Sequence, residues 1–368
     1  MKNKLQQFIA LPAAILKKLT NIELALGRIE SRQNSCIDSQ NINDYEFKVS
    51  SQWGEDGIIQ HLVKSIEIKN KVFFEFGVEK YTESNTRFLL QNNHWKGLVI
   101  DGSDENISYI KNDPIYWKNN LKAECAFITK DNINQLITKN GINGDIGILS
   151  VDIDGNDYWI WKAIDCISPR IVICEYNSHF GDTYKVSIPY DNNFVREKKH
   201  HSNIYYGASI SALDFLAKKK GYSLVGSNLA GNNVFFVRND LMTDTKALTP
   251  KEAYRVAQFR EARDESGSLT FVQLLNYGSV SCFSNSYHDK PLIEIQFSGN
   301  CTTSFPVLAL KCETGTDTVR GLPQAKTYTY DGVLRYGTDP LIRSYTARSL
   351  SHPVVSGILF PNTVDVIN

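Results

Sequence analysis

Asp152, Asp154, Glu175 and Asn177 are the residues of this chain whose types and spacing could do chemistry together. The first two close an apolar run over 146–157 (IGILSVDIDGND), and the last two close the next run, over 171–182 (IVICEYNSHFGD). If the runs are neighbouring parallel strands, three carboxylates and an amide meet at one carboxyl edge, where α/β proteins bind ligands. Two chemistries are open to such a set. Asp152, Glu175 and Asn177 offer hard oxygen ligands to Mg2+ or another octahedral divalent ion, which would acidify a bound hydroxyl. Without a metal, Asp152 or Asp154 would orient a ligand and His179 would remove a proton. His179 equally suits a solvated loop.

A second pair of acids lies upstream. Residues 71–86 (KVFFEFGVEKYTESNT) run from a β-prone apolar stretch through Glu75 and Gly77 to Thr82, which stands three residues before Asn85 as a helix cap. Residues 97–103 (GLVIDGS) again end an apolar run in a carboxylate, Asp101. Two adjacent strands ending in acids above a glycine turn suit an adenosine ligand, because carboxylates accept from ribose hydroxyls and glycine admits close backbone approach. The competing reading is that Glu75 and Asp101 cap the helices that follow them.

The elements that must position these groups alternate. Candidate strands are 72–78, 97–103, 122–128, 146–153, 170–175, 223–227 and 234–237, with helices over 57–66, 85–92, 133–139 and 209–220. Near-continuous apolar strands alternating with helices predict a parallel sheet covered on both faces. Only residues 228–233 separate the last two strands, so these form a hairpin. The fold class is therefore α/β, a doubly wound, mostly parallel seven-stranded sheet closed by a C-terminal antiparallel hairpin. Around it we expect an N-terminal helix (1–33), a polar linker (34–46), the main domain (47–241) and a C-terminal region (242–368). That last region opens with a polar helix over 249–266 and continues as strands at 293–297, 305–312, 327–337 and 355–360.

Forty basic and forty acidic residues cancel, so no global field draws the chain to nucleic acid. Seven scattered cysteines without CxxC spacing give neither a disulfide framework nor a zinc knuckle, and reduced cytoplasmic thiols are the simpler reading. Lys2 and Lys4 before an apolar run over 8–16 imitate a signal peptide, but Lys17 and Lys18 follow without a small-residue cleavage site. Ile15, Leu19, Ile22, Leu26 and Ile29 then step by four and three. This heptad-like stripe suits a helix that makes a homo-oligomer, docks on a partner complex, packs on its own domain, or lies peripherally on the inner membrane face.

The core from about residue 50 to 240 resembles the FkbM-like branch of the class I S-adenosylmethionine-dependent methyltransferases. Ser51-Gln52-Trp53-Gly54-Glu55-Asp56 matches the Ser-Gln-x-Gly-Glu-Asp segment before the first strand, and Val151-Asp152-Ile153-Asp154-Gly155 resembles the motif that ends strand four. The first loop, VEKYTES, departs by lacking several glycines, and Asp154 stands where glutamate is usual. The resemblance implies that S-adenosylmethionine lies with its methionine part over Glu75, Phe76 and Gly77 and its ribose on Asp101. Gly102 and Ser103 would line the adenine edge with Cys125 and Ala126, while Gln52, Glu55 and Asp56 would close from the preceding helix. It further implies methylation of a hydroxyl on a sugar, glycan or related small molecule, and the heptad-like helix would fit docking to a glycan-assembly complex.

Residues 178–206 form a long insertion rich in Tyr, His and Lys. Unstructured connections of such length are lids or binding loops, so Tyr184, Tyr190 and Tyr206 become candidate acceptor contacts, and Tyr190 and His179 the nearest to the acceptor. His200 and His201, after Lys198 and Lys199, read equally as a solvated basic turn. A different class of function also fits: a degenerate methyltransferase-fold scaffold or glycan-binding protein that works through its terminal regions. An NAD-dependent oxidoreductase is disfavoured by the absent GxGxxG and by the final hairpin.

Overall fold

The structure, a computed structural model, describes residues 2–242, 245–259, 261–263 and 266–269, and after them the backbone of four strands. Side chains are described from Ile15 onward. A long first helix, α1 (Lys2–Gln33), leads through short 3₁₀ turns to α2 (Glu55–Ser65). Then come β1 (Val72–Phe76), α3 (Arg87–Asn93), β2 (Lys96–Asp101), α4 (Asp104–Asn112), α5 (Pro114–Lys118) and β3 (Leu121–Cys125). The alternation continues with α6 (Ile133–Lys139), β4 (Gly144–Val151), α7 (Asp157–Ala163) and β5 (Ile167–Glu175). An insertion follows, carrying β6 (Lys185–Ser187) and α8 (Arg196–Lys199), before α9 (Ile210–Lys220), β7 (Tyr222–Ser227), β8 (Asn233–Arg238) and α10 (Pro250–Ala253).

Seven strands form one sheet in the order β3-β2-β1-β4-β5-β8-β7. The first five are parallel, and β8 runs antiparallel to both β5 and β7. Alternation along each strand sends neighbouring side chains to opposite faces. Phe74, Phe76, Ile100, Leu149, Val151, Val172 and Phe236 pack with Ile133, Ile137, Trp161 and Leu213 from α6, α7 and α9. Phe73, Val99, Ile148, Ile171 and Phe235 pack with Ile58, Leu62, Leu89 and Ile107 from α2, α3 and α4. Both faces are thus covered, and the ligand-binding edge is left to the strand ends. Parallel register places Phe76 beside Ile100 and Val151, Asp101 beside Cys125, and Val151 beside Cys174.

Two expectations change. The insertion is not an unstructured lid: β6 pairs with β9 (Ser279–Phe283) in a second sheet that continues through β10 (Leu292–Phe297), β11 (Leu308–Cys312) and β12 (Thr327–Tyr328). The strand expected at 355–360 lies outside the described residues. The helix expected over 249–266 stops after one turn. Thr249 and Glu252 form a capping box with Pro250 at the first position, but Tyr254 is already extended. Tertiary contacts override the helical pattern, since the Tyr254 hydroxyl donates to the Ser178 carbonyl and the Gln258 amide to the Ala230 carbonyl. Residues 254–259 and 261–263 therefore form a strap over the carboxyl end of β5 and the turn between β7 and β8. Among the described residues no helix is long and apolar enough to cross a membrane.

Candidate active site

Gly77 has φ +74°, and a Cβ there would stand 1.6 Å from the Asp152 carbonyl oxygen. Glycine is required because the ends of β1 and β4 touch at this point. Glu75 is buried and accepts from Ser84 Oγ (2.6 Å), Asn85 N (3.0 Å), Thr86 N (3.1 Å), Thr86 Oγ1 and Ser150 Oγ (3.3 Å). Burial raises its pKa, and the bonds from Ser84 and Thr86 pull against that rise. Glu75 thus anchors the loop from β1 to the start of α3, the capping reading, and would reach a ligand only through the loop that it shapes.

Asp101 links that loop to the second strand. Its Oδ2 accepts from Glu79 N (2.8 Å), while Oδ1 accepts from Ser103 N (2.8 Å) and Asn106 Nδ2 (2.9 Å). Ser103 caps α4 by accepting from Asn106 N. Beside them Gly102 and Cys125 are exposed, Cys125 Sγ lies 3.7 Å from the Gly102 carbonyl, and the Ala126 amide donates to the Asp101 carbonyl at 3.0 Å. A Cβ on Gly102 would meet only Phe127, at 3.7 Å. Asp101, Gly102, Ser103, Cys125 and Ala126 therefore stand together at an open edge, with exposed Phe127 as an aromatic face that sequence reading missed.

The Ser-Gln-x-Gly-Glu-Asp segment does structural work. Buried Glu55 accepts from Asn228 Nδ2 (2.6 Å), Asn233 Nδ2 (3.1 Å) and Trp53 N (2.8 Å). Buried Asp56 gathers the amides of Val49, Ser50 and Ser51. Each of the two acids holds a loop. Exposed Gln52 accepts from Asn232 Nδ2 at 3.1 Å.

At the ends of β4 and β5, one carboxylate oxygen each of Asp152, Asp154 and Glu175 lies within 4.8 Å of the others. Asp154 takes φ +56° and projects outward. Burial, then the charges of Asp154 and Asp157, push Asp152 well above the usual carboxylate range; burial, then Asp152 and Asp154, do the same to Glu175. Asn177 does not join them. Its amide nitrogen donates to the carbonyls of Ile204 (2.9 Å) and Tyr206 (3.0 Å), and its oxygen accepts from His179 N (3.0 Å), so it ties the two ends of the insertion together.

A cation from the insertion faces the acids instead. Arg196 Nη1 lies 2.6 Å from Asp154 Oδ1 and 4.0 Å from Glu175 Oε1, Nη2 bonds Glu261, and the guanidinium carbon sits 3.5 Å from the centre of the Tyr206 ring. Burial works against this charge, but Tyr206, Glu175, Glu261 and Asp154 outweigh it and hold Arg196 above its ordinary pKa. Glu261, on the strap, also meets His179 Nε2 at 2.9 Å and the Tyr206 hydroxyl at 3.1 Å. Burial would raise the Glu261 pKa, yet the bond from His179 and the Arg196 charge bring it below the usual value. Glu175 Oε2 remains buried with no hydrogen-bond partner.

The expected tyrosines part company. Tyr206 is buried under Arg196, and Tyr190 accepts from the Lys130 amide at 3.1 Å, bridging the insertion to the loop after β3. Tyr184 lies apart, its carbonyl accepting from Ser209 Oγ. His200 pairs with Ser202 Oγ at 2.7 Å, away from the acids. Asn156 and Trp159 pin the insertion by donating to the carbonyls of Asp191 and Ile188, both at 2.8 Å.

No family model matches the chain, and no curated protein matches it. Among solved structures, the N-terminal domain of EvdMO1 with SAH bound overlaps with a TM-score of 0.35 at 10% identity, over 57% of this chain and 95% of that one. An O-methyltransferase from Bacillus cereus in complex with SAH gives 0.34 at 12% identity, over 59% and 91%. A S-adenosylmethionine-dependent methyltransferase from Clostridium acetobutylicum gives 0.31 at 12%, over 61% and 99%. The fold is that of the class I methyltransferases. It rests on the strand order and the antiparallel β8, not on these low overlaps.

Arg196 and Glu261 escaped sequence reading for different reasons. Arg196 sits in a basic run that reads as solvated, and Glu261 lies in a segment patterned as a helix.

Proposed function

We propose that the protein is an S-adenosylmethionine-dependent methyltransferase, FkbM-like, that methylates a hydroxyl of a sugar, glycan or related small molecule. One observation carries the reading: the open edge at Asp101, Gly102 and Phe127 shares the carboxyl side of the sheet with the acids of β4 and β5. When bound, the cofactor supplies a methyl group on a sulfonium, which leaves to the acceptor oxygen while sulfur keeps the electron pair. Asp101 would receive the ribose hydroxyls in place of its present loop donors, and Phe127, Gly102 and Cys125 would hold the adenine. Glu75 acts at one remove, by holding the loop over the methionine part.

Asp152 takes the proton from the acceptor hydroxyl. Burial beside Asp154 and Asp157 makes it hold that proton more tightly than an ordinary carboxylate does. Arg196 balances the negative charge of the set and fixes Asp154 and Glu175, with Glu261, His179 and Tyr206 positioning it. Tyr190 borders both the cofactor edge and the insertion, which supports a planar polar acceptor between them.

A second reading uses a divalent ion, favoured by the buried and unpartnered Glu175 Oε2. Asp152, Asp154 and Glu175 suit a hard cation such as Mg2+, which would acidify the acceptor hydroxyl. Arg196 already confronts Asp154 and Glu175, so the metal-free reading stands first.

The test is to supply S-adenosylmethionine with an isotope-labelled methyl group to lysates from cells lacking the gene, with and without purified protein. Mass spectrometry that finds a labelled glycan or small molecule only with protein supports the reading. Absence of any labelled product favours the scaffold alternative.

A further inference from the structure

Helix α1 has two faces of opposite character. Gly27 and Ser31 are buried: a Cβ on Gly27 would meet Val49 at 2.3 Å and Phe88 at 3.1 Å, and Ser31 Oγ donates to Gln60 Oε1 at 3.2 Å. The helix is therefore held to its own domain by a glycine and a serine. Its apolar stripe points elsewhere. Ile15, Leu19, Ile22, Leu26 and Ile29 are 48–54% exposed. Their spacing is a heptad repeat with Leu19 and Leu26 at a and with Ile15, Ile22 and Ile29 at d, which puts Gly27 and Ser31 at b and f, opposite the seam.

Charge decides what covers the seam. The e positions carry Glu23 and Glu30, and the g positions carry Lys18 and Arg32. An antiparallel pairing matches e with e and g with g, acid on acid and base on base. A parallel pairing of identical chains sets Lys18 opposite Glu23 of another copy, opposite charges at each interface. The stripe is thus complementary to itself in one orientation.

Side-chain shape sets the number of strands. Leucine at a with β-branched isoleucine at d disfavours the two-stranded coil and favours larger bundles. Leu16, at e and 66% exposed, extends the apolar face beyond the a/d seam, which a broad core covers and a two-stranded one leaves wet. We infer that α1 assembles the chain into a homotetramer through a parallel four-stranded coiled coil over Ile15–Ile29. The four globular domains then stand around one end of the bundle, each attached through Gly27 and Ser31.

Sedimentation equilibrium of the full chain tests this. The expected mass is four times the 41.6 kDa chain. Leu19→Lys with Leu26→Lys should give a monomer whose domain still folds and melts cooperatively, because in the single chain both positions are about half exposed. Exchanging the seam, with Ile15, Ile22 and Ile29 to Leu and Leu19 and Leu26 to Ile, should give a dimer. A wild-type monomer or dimer overturns the proposal, as does a tetramer that survives the double lysine variant or an exchanged seam that leaves the stoichiometry unchanged. A wild-type monomer that pellets with anionic vesicles overturns it in favour of the membrane surface.

Discussion

Glu261 Oε1 lies 2.9 Å from His179 Nε2, joining the strap after α10 to the loop after β5. The same carboxylate bonds Arg196 and receives the Tyr206 hydroxyl, so one acid from outside the seven-stranded sheet organises the cation that faces Asp154 and Glu175. Glu261 thereby holds the His179 ring in place.

Glu261→Ala leaves Arg196 without one of its two buried acidic neighbours. Breaking a buried pair from one side is strongly destabilising, so chemical denaturation should show a loss of about 3 kcal/mol. Glu261→Gln, which keeps the hydrogen-bond acceptor, should lose less. A loss no larger than that of an exposed substitution would show that the strap does not support the site.

Gly77→Ala and Gly102→Ala separate a glycine needed by the fold from one open to a ligand. The first puts a Cβ at positive φ and against the Asp152 carbonyl, and should lower stability by about 3 kcal/mol or more. Gly102→Ala meets only Phe127 at 3.7 Å and should melt like wild type while weakening cofactor binding. Thermal melts with and without S-adenosylmethionine distinguish the two.

Asp152 and Glu175 are raised by burial and then by their acidic neighbours, and Asp157 is pushed to about 6 by burial against bonds from Ile153 and Gly155. A carboxyl whose proton is held more tightly in the folded chain stabilises the fold below its unfolded value, about 4, and that contribution is lost as pH rises through the folded value. The melting temperature should therefore fall as pH rises from about 4 through about 6 and on through the folded values of Asp152 and Glu175, less steeply in Asp152→Asn. The variant should be the more stable of the two at the upper end while losing about 10²–10⁴ in kcat. A variant that melts lower at every pH would contradict the raised Asp152 pKa.

With Arg196 supplying the positive charge, chelation should leave turnover unchanged, and Arg196→Ala should lower it by about 10²-fold or more. Loss of activity on chelation, restored by Mg2+, would instead support the ion-bound reading.

The strand-ending acids were legible because apolar runs that stop at Asp101, Asp152 and Glu175 carry both the periodicity and the chemistry locally. The closing hairpin was legible from its short connection. Glu75 and Gly77 were visible as a turn, but whether a glycine admits a ligand or another strand depends on what crosses it, here the Asp152 carbonyl. Asn177 looked like a ligand because strand ends favour ligands, yet the insertion claims its amide. Arg196 and Glu261 act through contacts made across 65 residues of sequence, and no local pattern encodes such a pair.

Calorimetric titration of the full chain with S-adenosylmethionine tests the central claim most directly. Binding in the micromolar range, about −8 kcal/mol, is expected for wild type, with loss in Asp101→Ala and weakening in Phe127→Ala, both checked for intact melting. No binding by the wild-type chain would contradict the account.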